Sequence, residues 1–388
     1  MKKSIKGLNC KFFKNIVLSS SLGICVACGN DLEKYNLNDV KYLKVNEVEN
    51  LEKFGKEQIK DFKVEYLSLD FCKDFEEECF FLEDYMKIKT EKDLYIHPTN
   101  SLVFKIVTNK KEVILVGYND KDKLNNIVFN IPKKVCIDGD EYLVTYIGKC
   151  SFCGCKFKQV NFPSSISFID SNAFEDCLHL SKISLEEVGI IGSYAFKNCT
   201  SLSKLSLEGV DVIGFQAFNN CKSLTELSLK EVREICNEAF ENCIGLEKIS
   251  LDGVKIIGNY AFENCEKLSE ILLGEVDNID RYAFKNCKKL LKISLDKVDE
   301  IGYGAFEDCT SLTELLIKDV KKIGKGAFKN TGIKEIFIPA SVKELGRKAF
   351  DTPSIEKIIL EEGSSLSKSD ILNACGRQSV DITIHEKA

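Results

Sequence analysis

Histidine is scarce: His97, His179 and His385 are the only three in 388 residues, and none falls in a Ser/His/Asp or Cys/His arrangement. That leaves little material for general-base catalysis or imidazole metal binding. The chain also lacks a phosphate loop and any glycine-rich nucleotide motif. A basic excess is missing as well. Fifty-four Lys and Arg stand against 60 Asp and Glu, a net charge of −6, so no positive field favours nucleic acid. After residue 30 no stretch reaches 18 consecutive apolar residues, and the mature chain is not expected to span a membrane. These deficits argue against an enzyme, a nucleic-acid binder and a cofactor carrier. An enzyme housed in residues 31–146 is the least favoured alternative.

What the chain has is repetition. From Ile169 to Asp351 the text recurs every 22 residues, with units opening at Ile169, Ile191, Ile213, Ile235, Ile257, Ile279, Ile301, Ile323 and Leu345. Each unit reads Ile-Gly-x-x-Ala-Phe-x-x-Cys-x-x-Leu-x-x-(Leu/Ile)-x-Leu-x-x-Val-x-x. A fixed period of this size marks a solenoid or an array. Burying one large apolar side chain is worth roughly 1.5–3 kcal/mol. Ordering the backbone costs roughly 1–2 kcal/mol per residue. A lone unit therefore cannot fold, and neighbours must share a core.

Within a unit, Leu224-Thr-Glu-Leu-Ser-Leu229 ends in a strict apolar–polar alternation, the mark of a short strand with one wet face. Eleven such strand cores run from Val160–Phe162 to Ile382–Ile384. The Ile-Gly and Ala-Phe segments read as turns, with the glycine giving freedom at a tight corner and Cys236 as the exception in its slot. Upstream, Val103–Val107 and Glu112–Gly117 read as a hairpin that continues toward the first unit as a β cap over an open edge.

Eight of the 18 cysteines form one column: Cys155, Cys177, Cys199, Cys221, Cys243, Cys265, Cys287 and Cys309, with Thr331 in the ninth place. Stacked coils hold such side chains parallel, roughly 4.8 Å apart, whereas a disulfide wants Cβ atoms inclined together at about 3.5–4.5 Å. The column is expected to be buried thiol, with no metal. Cys150-x-x-Cys153-x-Cys155 has the spacing of a metal or redox motif, yet Phe152 and Cys155 lie in register with the repeat. Zinc, a local disulfide that could include Cys136, and unpaired thiols all stay open there. Cys72 and Cys79 could also pair.

Residues 1–27 read as a leader. Lys2, Lys3, Lys6, Lys11 and Lys14 precede an apolar stretch, Ile16–Ala27, too short to span a bilayer. Cys25-Val-Ala-Cys28 then resembles a bacterial lipoprotein box, departing from it by Cys25 where leucine is usual. The resemblance implies a lipid on Cys28 that tethers the chain to a membrane face. The remaining divisions are a polar region of undetermined fold at 28–100, the β cap at 101–146, the repeats at 147–360, and a C-terminal cap with the last strand at 361–388.

The units, with Ile301-Gly-Tyr-Gly-Ala-Phe-Glu-Asp-Cys-Thr-Ser-Leu-Thr-Glu-Leu315 as a close example, resemble the BspA-like leucine-rich repeats of bacterial cell-surface proteins. The family repeat is usually one residue longer, with a proline that only Phe162-Pro163 and Ile338-Pro339 keep here. The resemblance implies a β-rich leucine-rich-repeat solenoid of about eleven stacked coils with a parallel sheet face. It also implies export to the bacterial surface, membrane-anchored or secreted. Adhesion to a protein or glycan partner follows from it, on host matrix or another cell, with a surface coat without ligand as the alternative.

The strand face offers the residue-level clue. Its outward column is polar from Asn161 through Ser250, then holds Leu272, Leu316, Phe337 and Ile359. Exposed apolar clusters mark interaction sites. A helix within Glu361–Asn373 could instead fold over Phe337 and Ile359. A neighbouring column, from Lys204 through Glu226, Lys248, Glu270 and Lys292 to Glu314, alternates in sign and predicts a lateral salt ladder.

Overall fold

The structure is a computed structural model. It describes 16–20, 23–27, 40–45, 94–96, 102–107, 110–118 and 128–385, and the chain divides into two compact units, Met1–Leu69 and Asp70–Ala388. In the first unit Ile16–Ser20 pairs antiparallel with both Gly23–Ala27 and Val40–Val45. The apolar stretch read as part of a leader thus forms a hairpin. Cys28, Cys72, Cys79 and His97 lie outside the described residues.

The second unit is a β-solenoid whose coils each carry two short parallel strands. One ladder is the expected sheet face: strands such as Lys182–Ser184, Lys248–Leu251 and Glu314–Ile317 pair in parallel with their neighbours 22 residues away. Val128–Asn130, from the strand-like run Asn126–Ile131 ahead of the repeats, joins this ladder by pairing with Gln159–Asn161.

The second ladder was not legible in the sequence. Two-residue strands such as Phe168–Ile169, Ile190–Ile191 and Val212–Ile213 stack the isoleucine column Ile169, Ile191, Ile213 and onward to Leu345 in one register. This ladder is continuous from Asp140–Ile147 to Glu344–Leu345, whereas the first is interrupted between Ser206 and Glu226, Leu273 and Lys292, and Ile317 and Glu335. Two residues are too few to show alternation, which is why they resemble a turn.

The glycine after each isoleucine is also explained differently. A Cβ on Gly214 would meet Gly192 C at 2.7 Å and Ile191 O at 2.8 Å, so at this coil glycine answers to the close approach of the coil beneath and not to a left-handed backbone. Asp170 and Asp280 share this slot with Cys236, and each of the three has glycine one coil before and after.

The Ala-Phe-x-x-Cys segment makes the third edge of the coil. Its turns close within the coil, as in Cys199 N–H to Phe196 O at 3.2 Å, and bond between coils, as in Phe174 N–H to Ala195 O at 2.7 Å. The phenylalanines stack inside it. From Phe174 to Phe350 successive centroids lie 5.1–5.5 Å apart with planes within 10°. The residue before each cysteine from Cys177 to Cys309, and before Thr331 in the ninth place, is left-handed, with φ from 55° to 66°. Asparagine and aspartate tolerate that conformation best among residues with side chains. Their amides also bridge coils: Asn264 Nδ2 donates to Asn242 Oδ1 at 2.9 Å and Asn286 Nδ2 to Asn264 Oδ1 at 2.8 Å.

Each end of the stack carries a cap. At the start, Leu102–Ile106 pairs antiparallel with Glu112–Tyr118, which runs parallel to Asp140–Ile147 and hands the register to the isoleucine ladder. At the end, a helix spans Lys368–Cys375, opened by a Ser367/Asp370 capping box and closed by left-handed Gly376. Its last turn replaces a missing coil: Asn373 O accepts from Lys348 N–H and Ala374 O from Phe350 N–H, both at 2.8 Å. Arg377 completes the cover by donating to the carbonyls of Ile355 at 3.0 Å, Thr352 at 2.9 Å and Pro353 at 2.8 Å.

Candidate interaction surface

Strand alternation decides which side chains face out. In Lys248–Leu251, Ile249 and Leu251 are buried while Ser250 is outward. Register then sets Leu272 beside Ser250, Leu316 beside Ser294 and Ile359 beside Phe337. Leu272 is 53% exposed, Leu316 47% and Phe337 37%, while Ile359 is half-buried. The C-terminal helix does not fold over Phe337 and Ile359 as the sequence allowed. Its hydrogen bonds to Lys348 and Phe350 hold it on the phenylalanine edge, in place of the next turn.

Sequence reading missed Leu291, which is 57% exposed just before the strand Lys292–Leu295. The signal was present: Leu290 is the repeat leucine, and Leu291 doubles it in a slot that holds Ser203, Thr225 or Thr313 in other coils. Beside Leu272 the face dips into a shallow hollow of about 350 Å³ lined by Glu226, Ser228, Lys248, Ser250 and Glu270.

Of the predicted salt ladder, Lys248 and Glu270 close at 3.2 Å. The acidic column two places after the serines is occupied locally. Ser184 Oγ donates to Glu186 Oε1 at 2.8 Å, Ser250 Oγ to Asp252 Oδ2 at 3.1 Å, and Lys318 pairs with Asp296 at 3.0 Å. These carboxylates lie along the sheet, and among the described residues no group of three His, Cys, Asp or Glu side chains is placed to hold a metal ion. His179 is exposed.

The cysteine column is core. Cys155 is 6% exposed and the seven from Cys177 to Cys309 are fully buried. Each of those seven donates its thiol to the phenylalanine carbonyl one coil earlier, as Cys221 Sγ does to Phe196 O at 3.3 Å and Cys309 Sγ to Phe284 O at 3.2 Å. Burial pushes the thiols of Cys177, Cys221, Cys265 and Cys287 well up and that of Cys243 to about 12, so they stay protonated and unreactive at neutral pH.

Among solved structures, a leucine-rich cell-surface protein of Faecalibacterium prausnitzii is 20% identical over 76% of this chain and 95% of its own, with a TM-score of 0.40. A leucine-rich repeat protein of T. pallidum is 29% identical over 50% of this chain and 91% of its own, at 0.44. The pneumococcal vaccine antigen PcpA is 18% identical over 76% and 88%, at 0.40. No curated protein matches the sequence. Residues 141–247 and 233–357 match the BspA-type leucine-rich repeat region, and the chain therefore belongs to that family.

Proposed function

We propose that this protein is a cell-surface interaction module that presents its outward strand face to a protein partner, with no catalytic step of its own. The observation that carries the reading is the exposure of Leu272 and Leu316 where the repeat places serine. Leaving apolar side chains of that size in water forgoes burial worth roughly 1.5–3 kcal/mol each, which a partner surface would recover. Leu291 and Phe337 are further exposed apolar side chains in the coils that follow Leu272, and Glu226, Lys248 and Glu270 stand with Leu272 around the hollow. Apolar centres with polar rims are the usual anatomy of protein interfaces. A glycan partner, host matrix and adhesion to another cell belong to the same reading at finer detail.

A binding screen of the full chain against matrix proteins and neighbouring cells, run beside Leu272→Ser/Leu316→Ser, tests the surface. Capture that falls at least tenfold in the double variant is expected, and unchanged capture overturns the assignment. The surface location rests on Cys28 and the leader at 1–27. Mass analysis of the mature N-terminus should find Cys28 first and acylated, and an intact leader would overturn it.

One feature favours the coat reading. The terminal strands Leu94–Ile96 and Asp381–His385 are sheet edges carrying exposed Leu94, Ile96 and Ile384, which suits stacking between molecules. Concentration-dependent filaments without a ligand would select that reading, and a monomer at all concentrations would remove it.

A further inference from the structure

In coil after coil two turn positions face each other: the third residue after the isoleucine and the first after the phenylalanine. Asn172 Nδ2 donates to Glu175 Oε2 at 2.6 Å. Lys197 Nζ stands 4.9 Å from the Tyr194 ring centroid, and Lys285 Nζ lies at the same distance from Tyr282. Lys348 and Asp351 pair at 3.1 Å. The geometry repeats because the backbone does, with the first member of each pair left-handed at φ 56–60°.

In the first coil these two places hold Cys150 and Cys153. Cys150 has the same left-handed backbone, at φ 53°, and Cys153 N–H donates to Cys150 O at 3.3 Å. A turn closed from first to fourth residue brings their Cα atoms within about 7 Å. Disulfide-linked residues usually have Cα atoms about 4.4–6.8 Å apart. Both cysteines are exposed, whereas Cys155, two residues on, is buried in the core column.

We propose that Cys150 and Cys153 form a reversible disulfide across the first turn of the solenoid. The oxidant is a disulfide, either a small-molecule one or that of a thiol oxidoreductase. One cysteine, as thiolate, attacks a sulfur of the oxidant's disulfide and forms a mixed disulfide, expelling the first thiolate. The second cysteine then attacks the protein sulfur of that mixed disulfide and expels the second thiolate. Two protein thiols lose two protons and two electrons, and the oxidant's disulfide becomes two thiols. Partial desolvation by the surrounding turn raises the pKa of both exposed thiols, that of Cys153 to about 11, and Lys149 opposes the rise at Cys150. The pair therefore oxidises faster as pH rises.

The test uses the full-length protein and oxidised glutathione at pH 8, followed by alkylation without denaturant, digestion and mass spectrometry. The peptide 150–156 should lose about 2 Da, resist alkylation at both cysteines, and recover both sites after reduction. Cys136→Ser should leave this intact. Cys150→Ser should abolish the mass loss and leave Cys153 alkylated or glutathionylated. Two outcomes overturn the proposal: alkylation of Cys150 and Cys153 after oxidation, or a mass loss that persists in Cys150→Ser and so joins Cys153 to Cys155. A crosslink from Cys136 to either residue would do the same.

Discussion

Phe240→Leu probes what holds neighbouring coils together. Phe240 is fully buried between Phe218 and Phe262, each 5.3 Å away by centroid and within 4° of parallel. Each aromatic pair contributes about 0.5–1.5 kcal/mol beyond the area it buries. The smaller leucine also forfeits about one methylene's worth of burial, about 0.8 kcal/mol, and leaves some cavity. The expected loss is about 2–4 kcal/mol. Phe350→Leu is the internal control. Its ring neighbour in the stack is Phe328, at 5.5 Å and on one side only, so its loss should be smaller by about 0.5–1.5 kcal/mol. Position matters too, because a stack is held by nearest-neighbour contacts. A weak point at Phe240 should split or broaden the unfolding transition, whereas one at Phe350 frays an end. Urea unfolding followed by far-ultraviolet circular dichroism reads both effects. Equal losses in the two variants, or a loss below about 0.5 kcal/mol for Phe240→Leu, would refute stacking as the coupling between coils.

Arg377→Ala removes three charge-assisted bonds to the last coil and should cost about 2–4 kcal/mol, read as a lower thermal midpoint; an unchanged midpoint would mean the clamp does not hold the end. Asn264→Ala loses both amide bridges and strains a residue at φ 60°, at about 2–3 kcal/mol, while Asn264→Gly keeps the conformation and isolates the bridges; equal losses would show that the backbone angle contributes nothing. Burial, then Glu238 and Glu263, push Glu241 from 4.5 to about 7, so the folded chain keeps a proton that the unfolded chain releases, and this contribution to stability falls as pH rises from about 4.5 to about 7. Glu241→Gln should flatten that decline in urea midpoints, and an identical slope in wild type and variant would sink it.

The period, the buried apolar column and the thiol column could be read because 22-residue identity repeats the same environment many times. Strand alternation was visible where three or four residues shared it, as in Lys248–Leu251, and invisible in Ile190–Ile191, where a second ladder rests on two. The glycine slot was read as a matter of backbone angle because a sequence does not show what lies one coil below. The asparagine column was present in the text, but its meaning depends on a left-handed φ and a partner 22 residues away. The outward leucines were legible as departures from serine. Leu291 escaped because a doubled leucine inside a leucine-rich motif looks like more core. The placement of the C-terminal helix turned on which carbonyls the last coil leaves to be met, a property of the ends rather than of the repeat.

Those ends have an evolutionary consequence. The first coil accepts its register from an antiparallel hairpin, and the last surrenders its turn N–H groups to the carbonyls of a helix. Neither terminus depends on how many coils lie between. Copying or deleting one 22-residue unit would leave the backbone pairing of the ladders in register and move the two caps by a single strand spacing, about 4.8 Å. The molecule is thus an adjustable ruler: its length can drift by whole coils while Leu272 and Leu316 keep their separation, provided the change falls outside them.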